Sequence, residues 1–488
     1  MIYKKAITKP KDSFVFWAGG DPHQAREEYA QLETPYFRSM ELPLSQIKNK
    51  RWDAGLIVGD IWNDAQHTDE YGAKFIDQVT NGLKGGNHKR EDIYITGGNH
   101  DYSTSSESWG INGLFQRYAD PMGINPIYSL IDNSKRDFTI TGTYSAYSIT
   151  KGNLLIVFLT DRNDGAGDMG QNITTGTYNQ RQRYGGGMTS FEWQFLHDSV
   201  LKNPDKTIVV CFHHAIWETI LCSGYREFQR YGDFPDNSSD EQNYNGAFAY
   251  IDNALQVGKR GRIEHFLKGI EGNITMWLSG HVHARYNYVH EGRTRYNNKF
   301  GIHHQNVCAM NRNLINTNHI GLLTAQSFFF NFIDDKIISD LYIHSDKAGV
   351  IPQGILASER REIQAPYYYT NNFVPETISN PVNSVTNLSI YNSDLFELKL
   401  TWNNENTGVL IVRRESIDPT ATPIDGTTYY RGTAIGDGVV VFQGTVNEFT
   451  DNSLASSTNY HYKLFTYNAG GNSIKYSPTS TSINETTL

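Results

Sequence analysis

Six short β-type runs, at residues 14–17, 55–58, 93–96, 154–160, 207–212 and 275–279, each end in a cluster of Gly, Asp, Asn or His. This recurrence constrains the fold more than any other feature of the chain. Helical character lies between several of the runs. It is clearest over 189–202, where Thr189 and Glu192 have capping-box spacing and Trp193, Leu196 and Val200 recur near the helical period. Strands interleaved with helices predict a layered α/β architecture. In such sheets the polar residues just past the strand ends gather along one rim, where loops converge on a ligand and the apolar strands hold them still.

Composition removes several alternatives. The chain has 488 residues, 38% of them hydrophobic, enough for two or three packed domains. Its longest apolar runs, 154–159 and 328–330, are strand-sized, so no membrane-spanning helix is expected. Cys211, Cys222 and Cys308 have no paired spacing, which argues against a disulfide framework and a thiolate zinc site and for buried thiols. A net charge of −9 disfavours a stable nucleic-acid lattice as partner, since that needs clustered Lys and Arg. The basic start is followed by no apolar stretch, so a secretory signal is not expected. The expected location is the cytoplasm, or a virion or extracellular setting reached by a non-classical route.

Beyond about residue 345 histidine thins out, Ser, Thr, Asn and Tyr dominate, and Pro352, Pro366, Pro375 and Pro381 break the chain. The expected organisation is a domain over 1–346, an ordered connector over 347–380 carrying Tyr367, Tyr368, Tyr369 and Phe373, and an all-β sandwich over 381–488. Within the last segment, Leu454, Thr458 and Tyr460 followed by Tyr462, Leu464, Phe465 and Tyr467 resemble the tyrosine-corner region of fibronectin type III domains. Trp402 falls where that family places its core tryptophan. The resemblance implies a module that binds protein or glycan, or that spaces and assembles, with no activity of its own.

Five clusters at the strand ends carry the chemistry: Asp21-Pro22-His23, Gly59-Asp60 followed by Asn63 and Asp64, Gly98-Asn99-His100-Asp101, His213-His214, and Gly280-His281-Val282-His283. Carboxylate, imidazole and amide oxygen together suit a pair of borderline divalent metals. Calcium would want more oxygens, and structural zinc usually takes thiolates. Residues two apart in an extended segment point to the same side, so Asp21 and His23 can grip one ion, and His281 and His283 can address one site. The neighbouring glycines allow sharp turns and close backbone approach.

In this order the clusters resemble the calcineurin-like metallophosphoesterase family, over roughly residues 10–345. The resemblance implies a two-sheet α/β sandwich holding two divalent ions, of manganese, iron or zinc, bridged by an aspartate and a hydroxide that acts as nucleophile. Asp21, His23 and His283 would hold the first ion, Asn99, His213 and His281 the second, and Asp60 both. His100, held by Asp101, would serve the leaving group. Asn63 and Asp64 stand where the family often has Asp followed by Arg, a departure that bears on substrate. Asn63, His214 and Arg285 are candidates for substrate contact; His214 could equally sit behind the ligands or at the surface, and Arg285 could be a solvated structural partner.

The oxygen-rich segment 161–172 fails the spacing of a calcium loop and reads as a flexible rim loop. Gly185, Gly186 and Gly187 read as a hinge, and His303 and His304 as ordinary. The expected function is hydrolysis of phosphomonoesters or phosphodiesters, with small phosphodiesters or nucleotides favoured. The alternative is a surface or virion-associated binding protein whose phosphoesterase-like domain is a metal-stabilised scaffold. A decayed site would be expected to lose ligands, and none is missing from the set.

Overall fold

The computed structural model describes residues 12–23, 39–62, 69–99, 101, 111–161, 186–221, 223, 249–251, 261–263, 267–283, 286, 289, 292–307, 310, 324–346, 352–375, 377–452 and 454–488. The chain divides into two compact units. The first comprises Met1–Glu192, Thr207–Asp252 and Thr275–Phe373; the second comprises Trp193–Lys206, Asn253–Ile274 and Val374–Leu488. Among the described residues no helix is long and apolar enough to cross a membrane.

The first unit is built on two mixed seven-stranded sheets. Its strands are β1 (Ser13–Gly19), β2 (Ala54–Val58), β3 (Ile93–Thr96), β4 (Ile140–Gly142), β5 (Ala146–Lys151), β6 (Leu154–Leu159), β7 (Thr207–Cys211), β8 (Met276–Ser279), β9 (Tyr296–Lys299), β10 (Ile302–Asn306), β11 (Thr324–Ile333), β12 (Lys336–Asp346), β13 (Gly354–Ile355) and β14 (Arg361–Gln364). One sheet runs β13-β12-β11-β1-β2-β3, with β14 also on β12; the other runs β9-β10-β8-β7-β6-β5-β4. Strands β1, β2 and β3 are mutually parallel, as are β6, β7, β8 and β10. Each sheet therefore delivers the carboxyl ends of its parallel strands along one edge.

Alternation along β1 explains the layering. Phe14 and Phe16 turn into the core between the sheets, where they meet Leu56, Val58 and Tyr94 from their own sheet and Phe158, Val209, Met276 and Leu278 from the other. Val15 and Trp17 turn the opposite way, toward α1 (Glu41–Ile47) and α2 (Asp69–Leu83), packing with Leu44, Ile47, Phe75 and Val79. Strands covered on both faces read as unbroken apolar runs, as Ala54–Val58 does. The helix α3 (Ser190–Leu201) has the expected reciprocal cap: Thr189 N–H donates to Glu192 Oε2 at 2.8 Å, and Glu192 N–H donates to Thr189 Oγ1 at 3.3 Å.

The structure adds detail to three expectations. Within the 347–380 connector, β13 and β14 add two short edge strands to the first sheet, with Ile363 opposite Ile337 and Tyr369 buried in the core. Residues 193–206 and 253–274 group with the second unit instead of the first. There Gln194 Nε2 donates to the Tyr430 hydroxyl at 3.0 Å, Asn472 N–H to the Lys202 carbonyl at 3.0 Å, and Thr445 N–H to the Gly269 carbonyl at 2.8 Å. Gly186 and Gly187 lie in a short strand, Gly186–Met188, paired with Ala249–Ile251, rather than in a hinge; Gly185 lies outside the described residues.

The second unit carries a sandwich. Its three-stranded sheet is β15 (Thr386–Asp394), β16 (Glu397–Asn403) and β20 (Glu448–Asp451), with β16 central. The six-stranded sheet contains β17 (Gly408–Glu415), β18 (Ala434–Ile435), β19 (Gly438–Gly444), β21 (Asn459–Gly470), β22 (Ser473–Tyr476) and β23 (Thr481–Thr486). Trp402 is buried between the sheets with Leu400, Ile411, Phe442, Tyr462 and Leu464. The Tyr460 hydroxyl accepts a hydrogen bond from Ala455 N–H, five residues upstream, at 3.0 Å. That is the tyrosine-corner contact. Tyr460→Phe should therefore cost about 1 to 2 kcal/mol, read as a lower unfolding midpoint of the sandwich; an unchanged midpoint would show that Ala455 finds another acceptor.

Candidate metal centre

Each relevant strand hands its polar cluster to the same place. Past β1 come Asp21 and His23, past β2 Asp60, past β3 Asn99 and Asp101, past β7 His213 and His214, and past β8 His281 and His283. All are buried except His281, which is partly exposed. Backbone bonds lash the strand ends together: Asp21 N–H to the Gly59 carbonyl at 3.1 Å, His23 N–H to the Asp60 carbonyl at 2.9 Å, and Gly280 N–H to the His213 carbonyl at 2.9 Å. Asp21, His23, Asp60 and His281 have φ of 56°, 40°, 53° and 66°. Non-glycine residues rarely adopt such values, and strain of this kind gathers where surrounding structure fixes a functional side chain.

The motif glycines are required by close approach. A Cβ at Gly59 would lie 2.7 Å from Gly98 Cα, one at Gly98 2.5 Å from the Asp60 nitrogen, and one at Gly280 2.8 Å from Asp21 Oδ2. Gly59 also has φ +72°. Gly59→Ala combines left-handed strain with a collision against backbone, so it should destabilise the first unit by about 2 kcal/mol or more. A thermal melt and a metal-content measurement check this; normal values for both would show that the loop relaxes freely.

The side chains form two sets sharing one oxygen. In the first, Asp21, His23, Asp60 and His283 each place a ligand atom within 4.8 Å of the others. His283 Nε2 lies 2.8 Å from Asp21 Oδ1 and 3.1 Å from His23 Nε2. In the second, Asn99 Oδ1 lies 2.8 Å from His281 Nδ1 and 3.1 Å from His213 Nε2. Asp60 Oδ2 stands between them, 3.4 Å from His23 Nε2 and 3.2 Å from His213 Nε2. The His281 N–H donates to both Asp21 oxygens at 3.1 Å, tying the sets together from behind.

Such crowding of mostly buried donor atoms suits cations. Burial opposes a charged His213, yet the Asp60 carboxylate, by charge and hydrogen bond, and Asp21 together pull its pKa up to about 10. A site that holds a proton this firmly is electronegative, and its nitrogen and oxygen donors fit borderline divalent ions. Asp101 is pushed up to about 7 by burial and then by the charge of Asp60, while backbone N–H groups oppose the rise.

Asp101 touches the site through backbone. Its Oδ1 accepts from Ile61 and Trp62 N–H at 2.8 and 3.1 Å, and its Oδ2 from Asp60 and Gly98 N–H at 2.9 and 2.7 Å. One carboxylate thus shapes both the Asp60 turn and the Asn99 turn. His214 is fully buried, which excludes a surface position, and its Nδ1 lies 2.7 Å from Asp161 Oδ2. Asp161, first residue of the segment whose spacing reads as a rim loop, stands just past β6, the same position the other clusters occupy on their strands. His100, Asn63 and Arg285 lie outside the described residues, as do Asp64 and 162–172. His304 is buried, with Nε2 against the Lys299 carbonyl at 3.1 Å, an ordinary structural histidine.

No protein-family model matches the chain, and no curated protein matches it. Several solved structures do. A conserved uncharacterized protein of Streptococcus pneumoniae, described as a predicted phosphoesterase, is 8% identical; the match covers 72% of this chain and 98% of that one, with a TM-score of 0.25. An FN3 domain of human collagen XX is 18% identical, covering 22% of this chain and 98% of that one at a TM-score of 0.14. Domains d3-d4 of the rat CD45 extracellular region are 12% identical, covering 26% of this chain and 55% of that one at a TM-score of 0.17. The chain thus spans about half the length of the CD45 structure. Scores this low carry neither fold nor function, so the functional reading rests on the residues and distances of the centre itself.

Proposed function

We propose that the chain is a binuclear, divalent-metal-dependent hydrolase of phosphoester bonds, with small phosphodiesters or nucleotides as its favoured substrates. The observation that carries the reading is the position of Asp60 Oδ2, within 3.4 Å of a ligand nitrogen from each set. A carboxylate so placed could serve two ion positions at once. Asp21, His23 and His283 would complete the first position, and Asn99, His213 and His281 the second. When bound, such a pair of ions, of manganese, iron or zinc, supplies an activated water and neutralises charge on the phosphoryl group.

The chain's own residues then do the rest. Asp101 fixes the turns that aim Asp60 and Asn99, and the backbone N–H of His281 holds Asp21. No covalent nucleophile would be needed, because water would be the attacking group. His100, by its place between Asn99 and Asp101 in the sequence, is assigned to the leaving group, and Asn63 and Arg285 to substrate contact. The charge of −9 supports a small phosphoester over long nucleic acid. The sandwich, with its tyrosine corner and buried Trp402, is assigned the role of a fibronectin type III-like module that docks the enzyme on protein or glycan.

The test is metal content of the full chain, followed by chelator stripping, reloading with manganese, iron or zinc, and hydrolysis of a chromogenic phosphomonoester and phosphodiester. The expected result is about two ions per chain and turnover that returns on reloading. A chain that binds none of the three metals and stays inactive would overturn the reading. Two ions with no turnover across a broad ester panel would favour the scaffold alternative.

A further inference from the structure

His214 and Asp161 are buried ionisable side chains that the catalytic reading leaves unused. The His214 ring lies 4.1 Å, centroid to centroid, from that of His281 at an interplanar angle of 34°, and 5.0 Å from that of His213. One ring nitrogen from each of the three falls within 4.8 Å of the other two. The placement is firm. His214 Nδ1 meets Asp161 Oδ2 at 2.7 Å, and the His214 carbonyl accepts from Trp277 Nε1–H at 3.1 Å. Asp161 is itself anchored, its N–H donating to the Gly97 carbonyl at 3.0 Å, two residues before Asn99.

A carboxylate beside one ring nitrogen draws the proton to that nitrogen and makes the other more basic, the arrangement in which metal-binding histidines are usually held. Three imidazoles gathered this closely, two of them buried, are stabilised when a cation takes their lone pairs. The geometry points to His214, held by Asp161, as a further ligand at the ion position framed by Asn99, His213 and His281. The inference rests on the binuclear reading proposed above. It makes the two positions chemically unlike. Asp21, His23, Asp60 and His283 offer two carboxylates and two imidazoles, whereas the other position has three imidazoles, an amide oxygen and a share of Asp60. Imidazole-rich sets suit zinc, and carboxylate-rich sets suit manganese. The His214 side is thus the position that retains a zinc-class ion while the other exchanges.

The experiment uses the stripped full-length chain, titrated with zinc by calorimetry and with cobalt(II) by visible absorption. Wild type should bind two zinc ions with separable affinities. His214→Ala should weaken the tighter one by more than about 100-fold, and Asp161→Asn, which preserves volume, by about 10- to 100-fold. Both should alter the cobalt bands of that ion, and neither should move the weaker affinity. His283→Ala should do the reverse. Two ions bound with wild-type affinities and cobalt spectrum in both His214→Ala and Asp161→Asn would overturn the inference and leave the hydrolase reading intact. No zinc bound by wild type would overturn both. Melting of each metal-free variant separates a lost ligand from a lost fold; if His214→Ala does not fold, Asp161→Asn and His214→Gln decide the matter.

Discussion

Asp101→Ala should lower the stability of the first unit by about 3 to 5 kcal/mol, in the range seen when a buried charge network loses one partner, and should abolish metal uptake. The side chain is fully buried, and four backbone N–H groups, from Asp60, Ile61, Trp62 and Gly98, converge on its two oxygens. Truncation strands all four. Each buried donor left unpaired costs about 1 to 3 kcal/mol, with partial relaxation keeping the total below the sum. Asp60 would lose its aim at the same time, because its own N–H is one of the four. Asp101→Asn keeps one acceptor oxygen but turns an NH2 group toward donors, so it should fall between wild type and Asp101→Ala. Chemical denaturation and metal analysis of both variants check this. Wild-type stability and metal content with lost turnover would instead mean that Asp101 acts through His100, as the motif alone suggests.

The contrast between those outcomes shows where sequence reasoning stops. The strand ends were legible because β2 is an unbroken apolar run and β3 a β-type run of Ile, Tyr, Ile and Thr, stopping at Gly59-Asp60 and Gly97-Gly98-Asn99, and such a run meeting a polar cluster is a local signal. The Thr189 and Glu192 cap was legible for the same reason, its partners being three residues apart. The four bonds to Asp101 were not, since three of them join residues about forty positions apart through backbone groups that carry no sequence identity. Asp161 and His214 meet across two neighbouring strands, β6 and β7, a pairing that periodicity cannot supply. Strand β14 carries no such signal, because Arg361–Gln364 buries only Ile363, and one apolar residue in four gives no alternation to count.

Asp60→Asn should leave the fold intact while damaging both ion positions together. The substitution keeps side-chain volume, and the backbone bonds of this turn, from Asp60 N–H to Asp101 and from His23 N–H to the Asp60 carbonyl, do not involve the side chain. What goes is the charge shared by His23 and His213. Removing a partner that merely orients a ligand already costs 10- to 100-fold in affinity or activity, so loss of a shared ligand charge should weaken both zinc equivalents and lower turnover by more than about 100-fold. His283→Ala, by contrast, should weaken one equivalent. A second readout needs no metal. In the stripped protein His213 is held up to about 10, chiefly by Asp60 working against burial. That raised value stabilises the metal-free fold fully below pH 6.5, the ordinary histidine value, and the contribution fades as pH climbs through about 10. In Asp60→Asn the His213 pKa should drop, and this part of the pH dependence should shrink with it. NMR titration of the imidazole follows the first change and melts at several pH values the second. If His213 still titrates near 10 in the variant, Asp21 is the dominant charge, and the shared carboxylate does not join the two sets as its distances imply.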